Sequence, residues 1–130
     1  MNLEWLDDET VFQNALLAEL DEQTQALFRQ VRALDYGMSL VRFFIEHEHV
    51  LSTVEEIAFH LNALLAKVEN SVYALEQLGL ARQVDVADIA LFGVTPDPGR
   101  RQMMRDLCAW QERWHSRLAR VERAINGSTS

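Results

Sequence analysis

A mainly α-helical fold carrying one two-stranded β hairpin is what this sequence predicts. Three observations lead there. Apolar residues recur every three or four positions over two long stretches near the ends of the chain, the mark of amphipathic helices. Directly after Gly79 the pattern changes to short runs of β-branched and aromatic residues. Turn-forming groups separate the helical lengths: Asp35-Tyr36-Gly37, Asn62-Ala63, Gly79 and Thr95-Pro96-Asp97-Pro98.

The first helix is expected over residues 8–34. Asp7 and Asp8 stand at its start, where acids suit the helix dipole. Leu17, Leu20, Thr24, Leu27, Val31 and Leu34 are spaced 3, 4, 3, 4, 3, a seam of coiled-coil type. A second helix is expected over 39–48, with Leu40, Val41, Phe43, Phe44 and Ile45 as its apolar bulk. Ser52 followed by Glu55 reads as a capping box for a third helix over 54–61, whose apolar face is Val54, Ile57, Ala58 and Leu61. After the tight connection Asn62-Ala63, a fourth helix over 64–78 buries Val68, Val72, Leu75 and Leu78, and Gly79 ends it. Strands are expected at 81–84 and 89–94, joined by a turn at 85–88. Asp97 as cap and Pro98 in the first helical position open the last segment, 97–125. It carries a second stripe: Met103, Leu107, Trp110, Trp114, Leu118, Val121 and Ile125.

The length of 130 residues suits one domain with its own core. No apolar run approaches the ~20 residues of a membrane span, so no membrane association is expected. The opening MNLEWLDDET is acidic, unlike a secretory or transit segment, and the chain reads as cytoplasmic. A single cysteine, Cys108, excludes an intrachain disulfide.

Charge is uneven. Residues 1–60 hold 12 acids and 3 bases, residues 61–99 hold 5 and 2, and residues 100–130 hold 3 acids and 7 arginines. The net charge of −8 makes the chain a poor generic binder of nucleic acid, because phosphate neutralisation supplies most non-specific affinity. The late arginines read as a solvated helix face, or as partners for acids such as Glu19, Asp21 and Glu22.

The order helix, helix, tight turn, helix, hairpin, helix, together with the segment EEIAFHLNALLAKVENSVYALEQLGLARQV, resembles a winged helix-turn-helix over residues 39–118. Ala58 stands where that family needs a small residue between its two helices. Leu61, Val68, Val72, Leu75 and Leu78 stand at its buried positions, and Leu78-Gly79-Leu80 matches its exit into the wing. The flanking helices are similar to the MarR-like arrangement, in which terminal helices form a dimer. The resemblance thus divides the chain into an N-terminal helix (8–34), a winged-helix core (39–94) and a C-terminal helix (97–125). It implies a transcription regulator binding double-stranded DNA as a homodimer, with the fourth helix in the major groove. Two apolar stripes exceed what one small module buries, so Leu17, Leu20, Leu27, Val31, Leu107, Trp110, Trp114 and Leu118 are the expected dimer seam.

The sequence departs from the family around the turn, where Asn62 and Leu64 replace the usual glycine and serine or threonine. Asn62 tolerates left-handed backbone; Leu64 cannot cap a helix. The expected outward set is Leu65, Ala66, Lys67, Glu69, Asn70 and Tyr73, joined by Arg82 of the wing. Only Lys67 and Arg82 are cationic, and the 85–88 turn holds two acids. Grips on DNA normally offer arginine and lysine to phosphates. A second reading therefore stays open: a winged-helix adaptor that binds a protein instead of DNA. A ligand sensor using Trp110 and Trp114 is a third.

No catalytic site and no cofactor are expected, since no phosphate-cradling glycine loop or nucleophile–base pair stands out. His47, His49 and His60 do not read as a metal site, because an i, i+2 pair does not share a helical face. Cys108 sits in an apolar stretch and reads as a buried structural thiol.

Overall fold

A computed structural model describes residues 18–127. Among these lie five helices and one hairpin: α1 (Glu22–Arg32), α2 (Gly37–Glu46), α3 (Val54–Leu61), α4 (Leu65–Gln77), β1 (Ala81–Val86), β2 (Ile89–Val94) and α5 (Pro98–Gly127). The architecture is the expected one. Several details differ.

The first concerns α1. A helix continuous from residue 8 to 34 is contradicted within the described range, because Glu22 opens α1 after a turn at residues 18–20. Asp21 is the reason. Its backbone is extended and its carboxylate accepts the Thr24 N–H at 2.7 Å, which satisfies an otherwise orphaned helix donor. That bond also holds the Asp21 carboxyl below its usual range. The stabilising effect is present above the ordinary carboxylate range and fades as acid protonates Asp21.

The second concerns the capping box, which is formed by Thr53 and Glu56, one residue later than Ser52 and Glu55. The Thr53 hydroxyl accepts from Glu56 N–H at 3.1 Å, and the Glu56 carboxylate accepts from Thr53 N–H. Ser52 is engaged elsewhere. Its N–H and C=O both pair with Phe92, at 2.9 and 2.8 Å, adding a one-residue bridge to the free edge of β2. Gly93 leaves room for this approach: a Cβ there would lie 2.7 Å from the Leu51 side chain. Thr53→Ala should cost about 1 kcal/mol in urea unfolding, the usual value of a lost cap. Ser52→Ala keeps its main-chain bonds and should cost less. The reverse order would show that the helix is capped elsewhere.

α2 begins at Gly37 rather than residue 39 and ends at Glu46 rather than residue 48. Tyr36, in left-handed backbone at φ 57°, turns the chain tightly from α1 into α2. A Cβ on Gly37 would stand 2.0 Å from the Val31 carbonyl oxygen, so the crossing of the two helices requires glycine.

α3 has the predicted bounds and closes with Asn62 at φ 52°, where Ala63 N–H reaches Ala58 O and Asn62 N–H reaches Phe59 O. The same pattern closes α4. Gly79, at φ 78°, donates to Glu76 O, and Leu80 donates to Leu75 O. β1 runs to Val86, two residues past the expected strand, because the hairpin turn is only Ala87-Asp88. Both residues have positive φ, the geometry that suits strand twist.

α2 packs on α5 and α1, α3 on α4, and the hairpin on α4, α2 and α3. The centre is Leu40, Phe44, Ile57, Leu75, Phe92 and Leu107, all fully buried. Among the described residues no helix is long and apolar enough to cross a membrane.

Candidate nucleic-acid interface

The register of α4 sets its outer face. Val68, Ser71, Val72 and Leu75 are buried, which turns Leu65, Ala66, Lys67, Glu69, Asn70 and Tyr73 outward, where the spacing put them. Tyr73 is partly anchored: its ring meets Phe92 edge-on at 5.3 Å. Arg82 is exposed on β1, opposite Gly93. Leu64 takes the N-cap place of α4 and makes no side-chain cap. Its own N–H donates to the Tyr36 hydroxyl at 3.4 Å. Leu78, expected in the core, is the half-buried C-cap residue.

Between Val54 and Val94 stand six carboxylates and two cations, Lys67 and Arg82. Neither cation has an ion-pair partner among the described residues. Both are therefore free to meet an anion, and their small number bounds how many phosphates this face can neutralise.

The late arginines are mostly engaged in the fold. Arg100 donates to Leu78 O at 2.9 Å and Arg101 to Thr95 O at 2.6 Å, tying the start of α5 to the exits of α4 and β2. Arg105 pairs with Glu48, and Arg117 with Glu19 at 2.6 Å, one of the acids expected to meet them. Arg113, Arg120 and Arg123 remain on the outer surface of α5.

The expected dimer seam is largely core. Leu27, Val31, Leu107 and Trp110 are between 0% and 4% exposed within the single chain, so they have no surface to offer. Leu20, Trp114 and Leu118 are half-buried, and Leu17 lies outside the described residues. α1 and α5 pack against each other within the chain instead: the Phe28 ring of α1 meets Trp110 edge-on at 4.9 Å, and on α5 itself Trp114 stacks on Trp110 at 6.4 Å. Trp110 thus joins α5 to α1, and Trp114 packs on Trp110 along α5.

His47 occupies the C-cap of α2, stacks on Phe43 at 4.5 Å and meets the His60 ring at 5.1 Å. Among the described residues no group of three His, Cys, Asp or Glu side chains is placed to hold a metal. The Cys108 thiol is buried and its pKa is raised, chiefly by loss of water, which keeps it protonated and a weak nucleophile.

One exposed group was missed by the sequence reading. Phe59 is 90% exposed on the outer face of α3, close in the chain to Leu64 and Leu65, which are 61% and 44% exposed. A helical wheel contained the signal: Phe59 lies off the stripe of Val54, Ile57, Ala58 and Leu61.

Solved structures share this arrangement. A mutant of Lactococcus lactis ZitR aligns with a TM-score of 0.55 at 14% identity, covering 99% of this chain and 93% of that one. A MepR mutant from a multidrug resistant S. aureus clinical isolate gives 0.53 at 14%, covering 93% and 88%. Another S. aureus MepR mutant, bound to an oligodeoxyribonucleotide, gives 0.53 at 13%, covering 100% and 99%. The chain has a winged helix-turn-helix fold. α3 and α4 are its helix-turn-helix, with α4 in the recognition position, and β1–β2 is its wing. The neighbours are winged-helix transcription regulators of the MarR type. At such identity the likeness is one of fold. No family model and no curated protein sequence matches the chain.

Proposed function

We propose that the protein is a winged-helix transcription regulator that meets duplex DNA through α4. The observation that carries this is the outward row Lys67, Asn70 and Tyr73 on the recognition helix, beside a wing bearing Arg82. The fold it shares with a DNA-bound MepR mutant supports the reading. Lys67 and Arg82 serve phosphates, and Asn70 has the paired donor and acceptor that suit an adenine edge. The regulator acts as a homodimer. With most of the two stripes committed to the core, its seam draws on Leu20, Trp114, Leu118 and the outer end of α5, where Val121 is 43% exposed.

Two cations per subunit limit the electrostatics. Each neutralised phosphate contributes about 0.9 to the slope of log affinity against log salt, so a pair of subunits should show a slope of about −2 to −4. Titration of random-sequence duplex DNA from low salt upward measures it. Lys67→Ala should weaken binding to every sequence alike, and Asn70→Ala should flatten sequence preference. No binding at low salt overturns the proposal. A much steeper slope moves the interface to the free arginines of α5.

A further inference from the structure

The solvent face of α3 carries an aromatic ring beside two carboxylates, and the start of α4 adds the apolar Leu64 and Leu65 ahead of Lys67. Among the described residues Phe59 is the most exposed of the large hydrophobics. It lines a shallow recess with Glu55, Glu56 and His60. Leu64 and Leu65 follow five and six residues later around the Asn62 turn, and the Tyr36 ring is drawn beside them by its bond to Leu64 N–H. A phenyl ring left almost wholly in water gains nothing for the fold. Burying it removes apolar surface from water at about 25 cal/mol per Å².

The charges select the occupant. Glu55 has no ion-pair partner among the described residues, and Glu56 spends only one oxygen on Thr53. A phosphate backbone brought onto Phe59 would meet two carboxylates and an aromatic ring. A cationic segment would gain from both. We propose that Phe59, Leu64 and Leu65, with the carboxylates of Glu55 and Glu56, form a docking site for a basic protein segment that inserts an apolar side chain beside Phe59. This goes beyond DNA binding by α4, which uses Lys67, Asn70 and Arg82.

The test uses the full-length chain labelled for NMR. The probe is a helical peptide of about 16 residues, with leucines at i, i+3, i+4 and i+7 and lysine or arginine elsewhere. Two controls accompany it, one with glutamate in place of the bases and one with serine in place of the leucines. The basic apolar peptide should give saturable shifts centred on the amides of residues 55–65. Phe59→Ser and Glu55→Lys should each weaken it by about tenfold or more, in line with loss of an interface anchor. Both positions are exposed, so the folded spectrum should persist. Equal binding of the acidic control, shifts centred elsewhere, or no saturation by the basic peptide overturns the proposal. Two further outcomes also overturn it. Loss of duplex DNA binding in Phe59→Ser would make Phe59 part of the DNA face, and a change in sedimentation would make it a contact between copies of this chain. Failure of Lys67→Ala to affect DNA bears only on the regulator reading, so the two proposals fail separately.

Discussion

Trp110→Ala lowers the unfolding free energy by about 3–5 kcal/mol, the range for truncating a buried aromatic side chain. Trp110 is 2% exposed and joins α1 to α5: Phe28 meets its edge, and Trp114 stacks parallel to it. Removing the indole leaves a cavity between two helices whose apolar stripes depend on each other. Folded domains have only about 5–15 kcal/mol in hand, so the variant should unfold at a much lower urea concentration. Trp114→Ala should cost clearly less, because Trp114 is half-buried and its indole N–H is buried without a hydrogen-bond partner among the described residues. Circular dichroism in urea, which does not depend on tryptophan emission, compares the two. Equal losses would show that the α1–α5 packing is centred on Trp114.

Gly37→Ala costs about 3 kcal/mol, the upper part of the usual range for forced overpacking. The added methyl would stand 2.0 Å from the Val31 carbonyl oxygen, a backbone atom that cannot rotate away. α1 and α2 must separate to admit it, which loosens a packing that buries Val31 on one helix and Leu40 on the other. Elsewhere in a helix the same change stabilises, since alanine has the better helix propensity by about 1 kcal/mol. The sign of the effect therefore reports the helix crossing directly. A neutral or stabilised Gly37→Ala protein would mean that α1 does not pass so close to α2 in solution.

Much of the fold could be read from the residues because local chemistry decided it. α3 and β2 have the predicted bounds, Asn62 and Gly79 take left-handed backbone, and Asp97 caps α5 through its bond to Arg100 N–H at 3.0 Å. Each depends on a few neighbours in sequence. The outward set on α4 was legible for the same reason, because four buried positions at helical spacing fix the rest of the helix. Misplacements arose where two local options competed. Ser52 and Thr53 each precede a glutamate at the capping distance, and Ser52 lost because its backbone was taken by Phe92, forty residues away. Asp21 was hidden inside a continuous 3,4 pattern, which records the apolar face and is blind to a cap that interrupts it.

The sequence by itself determined the element order, the helix-turn-helix and its hairpin, the scarcity of cations on α4 and the wing, and the burial of Cys108. These follow from periodicity, turn chemistry and charge, all properties of contiguous residues. Only the tertiary structure decided what the apolar stripes face. Heptad spacing states that a helix has an apolar side and does not say whether the surface opposite belongs to the same chain or to another. Here Leu27 and Val31 meet a core that also holds Leu107 and Trp110, and among the described residues the large apolar side chains left most exposed are Phe59 and Leu64. That choice rests on how α1, α2 and α5 cross, and the crossing is set by long-range contacts such as Phe28 on Trp110 and Arg42 on Glu112, which no local pattern encodes.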